Sequence, residues 1–275
     1  MAGRVITVGN HKGGVSKTSL VANIAADSVR RGCRTLVVDM DAQANLSELL
    51  MGHDFQPETT TSDLLASPDI EAGDAAEAIV STQWHGIDLI PAESDLENRE
   101  AENGAEPGVA RRLATSLEGL RDRYDLVLID TPPRISLELT SALLASDGVL
   151  IVAEPDADAR KGARRVMGAV EAAAAGFDHK VAVYGVLLTK MDQRLVSHAT
   201  ERAQFLQAFG DLMWRDSIRD RAAWRTAKSE RVPVFGLRRR DTGSHEAEGD
   251  LVRVVDELFV RAGVQPSIPT TVEGA

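Results

Sequence analysis

Val5 to Ser19 reads VITVGNHKGGVSKTS, an apolar run, a glycine-rich turn, then a lysine followed by two hydroxyl residues. The spacing predicts a strand, a phosphate loop and the first turn of a helix. Gly13 and Gly14 can adopt backbone angles closed to other residues, so successive N–H groups can converge on one anion. A helix opening at Thr18 adds its positive dipole end. Lys17 then reaches the terminal phosphates, and the hydroxyl of Thr18 is placed to hold Mg2+. This chemistry is that of a nucleoside triphosphate site.

The remainder of the chain can support such a site. Its 275 residues, 43% of them hydrophobic, are enough for one large α/β domain. With aromatics at only 4%, Ala, Val and Leu must do most of the packing. A single cysteine, Cys33, excludes an internal disulfide framework and fits a reducing cytoplasm. No apolar stretch approaches the roughly 20 residues that span a bilayer, and MAGRVITV runs straight into the first strand without a leader pattern. The formal net charge of −11 argues against a generally basic nucleic-acid binder. From Leu212 to Arg240, however, nine Arg or Lys stand against three acids, a local +6 that leaves −17 elsewhere. Such a face suits salt-sensitive contact with a phosphate backbone, or is simply a solvated helix face.

Apolar runs recur at Thr35–Asp39, Gly86–Pro91, Leu126–Ile129, Gly148–Ala153 and Val181–Thr189. They are of strand length, and continuous enough to be buried on both faces of a parallel sheet. Helical periodicity lies between them at Thr18–Arg31, which Gly32 ends, and at Ala159–Ala175. Short helical pieces are expected at Thr61–Leu65 and Ala75–Val80, and an acidic helix at Asp95–Glu106; longer helices are expected at Ser197–Phe209 and Glu248–Ala262. The alternation predicts a mostly parallel twisted sheet with helices on both faces, in one domain over residues 1–263. A flexible tail over 264–275 should follow.

Two departures from the ordinary phosphate-loop pattern are informative. Ser16 and His11 stand where glycines are usual, and an extra lysine, Lys12, precedes the glycine pair. KGGVSKT thereby resembles the deviant Walker A motif, KGGxGKS/T, of the ParA/MinD group of P-loop ATPases. VVDMDAQANLS, Val37–Ser47, resembles that group's DxDPQGN signature, with Ala42 and Ala44 replacing its Pro and Gly. YDLVLIDTPP, Tyr124–Pro133, resembles its Walker B strand followed by a rigid turn. The resemblance implies a fold, a P-loop α/β domain, and a reaction, ATP hydrolysis with Mg2+. It implies nucleotide contacts from Lys12, Gly13, Gly14, Val15, Ser16, Lys17, Thr18 and Ser19, and a metal held by Thr18 and Asp130 with Asp39 nearby. Asp41 matches the acid that orients the attacking water, and water needs such a carboxylate to be held in line with the terminal phosphate. Lys12 matches the lysine that crosses a homodimer interface to the neighbour's phosphates, making it catalytic together with Lys17 and Asp41.

Further along, Thr189-Lys190-Met191-Asp192 fits the N/T-K-x-D turn with which related GTPases read guanine. ParA-type sequences carry LLTxxD there and use ATP, so ATP is expected. SIRDRAAWRTAKSERVPVF parallels the group's IPRNVRLSEAPSxGKPV only loosely, with Arg219 in place of Pro. By charge and region, Arg219, Arg221 and Arg225 are expected to contact DNA. The resemblance is strongest to partition ATPases of plasmids and chromosomes. It implies an ATP homodimer that holds DNA without sequence preference and a ParB-type centromere-binding partner that stimulates slow hydrolysis. A nucleoid-associated cytoplasmic location follows from this. A protein-cargo positioner would share the same ATPase. A MinD-like membrane role is disfavoured by the polar, acidic end of the chain. Only Met1–Gly3 precede the first strand, so the self-repressing DNA-reading domain of larger relatives is expected to be missing.

Overall fold

The computed structural model describes residues 3–14, 16–96, 98, 102, 106 and 108–266. Eight strands form one sheet in the order β3-β4-β2-β5-β1-β6-β7-β8. They are β1 (Arg4–Gly9), β2 (Thr35–Asp39), β3 (Val80–Ser81), β4 (Ile87–Ile90), β5 (Leu126–Asp130), β6 (Gly148–Ala153), β7 (Ala182–Met191) and β8 (Met213–Arg219). All pairings are parallel except that of β3 with β4. Every residue of β2, β5 and β6 is buried, as expected for strands covered on both faces.

Helices α1 (Lys17–Arg30) and α9 (Thr242–Ala262) cover one face. Leu20, Val21 and Ile24 of α1 meet Ile6 and Val8 of β1, while Leu251, Val255 and Leu258 of α9 pack in the same core with Trp214. On the other face, α3 (Thr61–Ala66) and α4 (Arg112–Leu117) lie under β2 and β5, joined by Leu64, Leu113, Val38 and Ile129. Beside them α5 (Leu137–Ala145), α6 (Ala157–Phe177) and α7 (Val196–Phe209) cover β6 and β7, using Leu143, Val166 and Phe205. Two further helices, α2 (Asn45–Met51) and α8 (Ala222–Glu230), flank the carboxyl end of the sheet.

The topology sets the position of the site. From central β1 the chain passes to β2 on one side, whereas β5 leads to β6 on the other. Connections diverge at the carboxyl ends of β1, β5 and β6, the place where open α/β sheets bind their ligands. The phosphate-loop stretch is the connection leaving β1.

Several elements differ from the sequence reading. Ala75–Val80 is a 3-10 turn at Asp74–Ala78 followed by strand β3, not an α-helix. The last helix begins six residues earlier than expected because Asp241 caps it, accepting from Ser244 N at 2.8 Å. Strand β8 lies where the sequence reading shows only a cationic segment. It is anchored by Trp214, fully buried, whose indole N–H donates to Tyr184 O at 2.9 Å. Gly185 makes this approach possible: a Cβ there would sit 2.1 Å from the indole nitrogen. At the end of the domain Gly263 closes α9 and Val264 is buried in the core; the expected tail from residue 267 onward, and much of the acidic run at Asp95–Glu106, lie outside the described residues.

Candidate nucleotide site

Gly14 takes φ 82° and Ser16 takes φ 63°, so both hold left-handed backbone. Ser16 is the N-terminal cap of α1, its carbonyl accepting from Leu20 N at 2.9 Å. A serine thus holds, where the resembling motif has glycine, a left-handed angle that glycine would take without the steric cost of a Cβ. Ala44 does the same at the start of α2, with φ 48°. Val15 lies outside the described residues.

The loop bounds a cavity of about 320 Å3 lined by Gly13, Gly14, Lys17, Asp41, Pro133 and Lys228, among others. At Gly13 and Gly14 a Cβ would meet nothing within 4 Å, so the backbone borders open space there. Lys17, 6% exposed, pairs with fully buried Asp130 at the end of β5. Thr18 Oγ1 donates to the other oxygen of Asp130 at 2.7 Å. A hydroxyl and a carboxylate side by side suit a hard cation that takes its remaining ligands from phosphate and water. No group of three or more His, Cys, Asp or Glu stands ready to hold a metal among the described residues.

The two aspartates of the second signature are placed differently. Asp39 is register partner of Asp130 across β2 and β5. Its Oδ1 accepts from Asp41 N at 3.1 Å, and its Oδ2 from Ser47 N at 2.9 Å and Ser47 Oγ at 2.8 Å. Burial first, and then the neighbouring Asp130 charge, push its pKa up to about 7. Asp39 therefore shapes the turn into α2 with both oxygens already engaged. Asp41 instead lines the phosphate cavity, while its Oδ1 accepts from Gln43 N at 3.1 Å. Of the pair, Asp41 is the acid facing the place where phosphate would sit.

Lys12 does not line that cavity. Its side chain, 42% exposed, extends to the end of β6, where Nζ lies 2.7 Å from Asp156 Oδ2 and 3.5 Å from Glu154 Oε2. The hydrogen bond to Asp156 raises its pKa. Glu154 also holds Lys190 at 2.7 Å, and Lys190 in turn donates to Gly14 O. These partners were not foreseen from sequence. The available signal was position: Glu154-Pro155-Asp156 follows a buried strand at the switch point of the sheet.

A second cavity of about 330 Å3 adjoins the first at Ser16, lined by Leu20, Thr189, Lys190, Ile218 and Trp224 together with Arg219, Arg221 and Arg225. Its apolar walls and proximity to the loop suit a nucleobase. Asp192, the candidate guanine reader, is not part of the lining. Its carboxylate holds Arg194, accepting from Nε at 2.9 Å and from a terminal guanidinium nitrogen at 2.7 Å, and these bonds lower its pKa. The three arginines expected to contact DNA sit at this cavity's edge. Arg219 is clasped to buried Asp250 at 2.6 Å, Arg221 pairs with Glu246, and Arg225, 72% exposed, lies 3.0 Å from Asp220.

A phosphate loop at the switch point of a mostly parallel sheet, with Thr18, Asp41 and Asp130 around it, defines a P-loop nucleoside triphosphatase of the deviant type. The AAA domain family matches residues 3–183. The chromosome partitioning protein ParA of Caulobacter vibrioides is 31% identical over 236 residues, covering 85% of each chain. The chromosome-partitioning ATPase Soj of Thermus thermophilus is 32% identical over 234 residues, 85% of this chain and 86% of that one. The chain belongs to the ParA/Soj family of P-loop partition ATPases. Among solved structures, a McdA variant of Cyanothece in complex with ATP superposes with a TM-score of 0.83 over 98% of this chain and 99% of that one; at 20% identity the likeness is one of fold.

Proposed function

We propose that this ATPase works as a switch: ATP joins two chains into a sandwich dimer, the dimer holds DNA without sequence preference, and hydrolysis stimulated by a ParB-type partner releases it to drive plasmid or chromosome partition. The observation that carries the reading is the position of Lys12. Its ammonium stands outside its own phosphate cavity, partly exposed, on a loop whose other lysine is buried inside. A lysine so placed is available to a neighbouring chain's phosphates, provided it leaves Asp156.

In this scheme the cavity at the loop takes the triphosphate, and Lys17 exchanges Asp130 for phosphate oxygens. Mg2+, held by Thr18 and Asp130, would supply neutralisation of the phosphate charge. Asp41 accepts a hydrogen bond from water and aligns it behind the terminal phosphorus. A new P–O bond forms, the bridging P–O bond breaks, and ADP leaves with the electron pair. Loss of the terminal phosphate removes the contacts joining the chains, and separation halves the DNA charges engaged at once. The exposed cations Arg215, Arg225, Arg238 and Arg239 support the DNA side of the reading. No helix among the described residues is long and apolar enough to cross a membrane.

The test is retention of DNA with no nucleotide, ADP, ATP and a non-hydrolysable analogue, run on the native chain and on Asp41→Ala. The variant is expected to dimerise and stay on DNA in ATP with hydrolysis reduced at least about 100-fold, within the range seen when a transition-state interaction is removed. An Asp41→Ala chain that stays monomeric in ATP and Mg2+ would sink the switch; normal hydrolysis by it would remove Asp41 from its role.

A further inference from the structure

Helix α8 brings the cationic segment onto the nucleotide site. Arg221, Trp224, Arg225 and Lys228 follow each other at helical spacing, so they share one face. The first three line the base-sized cavity and the fourth lines the phosphate cavity. Seven residues of helix advance by about 10 Å, so this face runs alongside the path from base to phosphates.

Lys228 differs from the other lysines of the site. Lys17 is held by Asp130, Lys12 by Asp156, and Lys190 by Glu154. Lys228 is exposed, and its ammonium makes no hydrogen bond or ion pair among the described residues. It lines the cavity together with Asp41, Gln43, Asn45 and Pro133 and with the loop that carries Lys17. An unpaired ammonium on such a wall meets phosphate without first breaking another interaction, and a charge-assisted bond to phosphate is the stronger kind. The bland alternative is that a lysine in the last turn of α8 only complements the helix dipole.

We propose that Lys228 is a phosphate ligand supplied from within the same chain, contacting the terminal phosphate of a bound nucleoside triphosphate and so helping to distinguish it from a diphosphate. The proposal rests on the nucleotide-binding reading above.

The test compares the native chain, Lys228→Ala and Lys228→Arg by calorimetric titration with Mg2+ and either a non-hydrolysable ATP analogue or ADP, with thermal melting as a check on folding. All three are also made with Lys12→Ala, which removes the cross-chain contribution. For Lys228→Ala, analogue affinity should fall about tenfold or more, as for loss of a hydrogen bond to a charged group, and ADP affinity by less than about threefold. Lys228→Arg should stay within about threefold of native because the charge is kept. Equal losses for both nucleotides, no loss, or an effect that disappears with Lys12→Ala would each overturn the assignment. If the native chain binds neither nucleotide, the proposed function falls as well; if it binds both and only the Lys228 effect is missing, this inference alone is lost.

Discussion

The phosphate loop and the cationic segment from Leu212 to Arg240 are the two charged stretches that stand out in the sequence, yet they fold to different ends. In the loop, charge and position agree: Lys17 is buried beside Asp130, and Lys12 stands outside. In the segment, the sequence count of +6 misstates the surface. Acids distant in the chain neutralise much of it: Asp250 for Arg219, Glu246 for Arg221, Glu248 for Arg240 and, at 3.8 Å, Glu48 for Arg231. The lesson is that local charge predicts function where the ligand is bound by backbone geometry that the same stretch supplies. It fails where partners arrive from another element.

The sharpest way to break the contrast is at its buried lysine. Lys17→Ala is expected to abolish nucleotide binding, a loss beyond about 100-fold given several charge-assisted bonds to phosphate. It also leaves buried Asp130 without its cation, so a lower melting temperature should accompany it. Titration with ATP on a chain confirmed folded by circular dichroism checks this; retained affinity would mean that the loop does not grip phosphate.

Asp250 is the counterpart in the cationic segment. Fully buried, it faces Arg219, Arg221 and Arg253. Breaking a buried pair costs about 3–5 kcal/mol, but these arginines reach water once released, so Asp250→Ala should cost about 2–3 kcal/mol. For a chain of this size that is a fall of roughly 5–10 °C in Tm. An unchanged melting curve would show that the segment's charges are free after all.

A smaller effect is expected where the segment is exposed. Changing Arg215, Arg238 and Arg239, which line neither cavity, together to Ala should weaken DNA retention in ATP and flatten its salt dependence, the slope falling by roughly one for each DNA phosphate that the variant no longer neutralises. ATP affinity should stay put. Changing Arg219 instead should act mainly through folding, because its guanidinium is already bonded to Asp250.

These differences also mark what could be read from sequence. Strands β1, β2, β5, β6 and β7 were legible because continuous apolar runs have few other uses. The positions of Thr18, Asp41 and Asp130 around the loop were legible because each sits at a strand end or helix start. Strand β8 was not, because MWRDSIR buries only Met213, Trp214 and Ile218 and alternates them with charge at the sheet edge. Helix α8 was hidden for a related reason, since only Ala223 and Ala227 of its face are buried. Glu154 and Asp156 belong to the site through tertiary pairing with Lys12 and Lys190, and a linear pattern does not contain that information.

The smallest expected effect tests whether the loop's geometry is as strict as its chemistry. Ser16 and Ala44 hold left-handed angles in which a Cβ crowds the following carbonyl, at about 1–2 kcal/mol each relative to the right-handed region. Glycine removes that crowding but adds freedom to the unfolded chain, at about 0.4–1 kcal/mol. Ser16→Gly and Ala44→Gly should therefore each stabilise the chain by about 0.5–1 kcal/mol, a rise of roughly 1–4 °C in Tm. Ser16 also borders both cavities, whereas Ala44 borders neither in the lining described for them. Nucleotide affinity should then respond to Ser16→Gly and not to Ala44→Gly. Destabilisation by Ser16→Gly would mean that the left-handed turn is not the resting shape of the phosphate loop, and destabilisation by Ala44→Gly would say the same of the turn into α2.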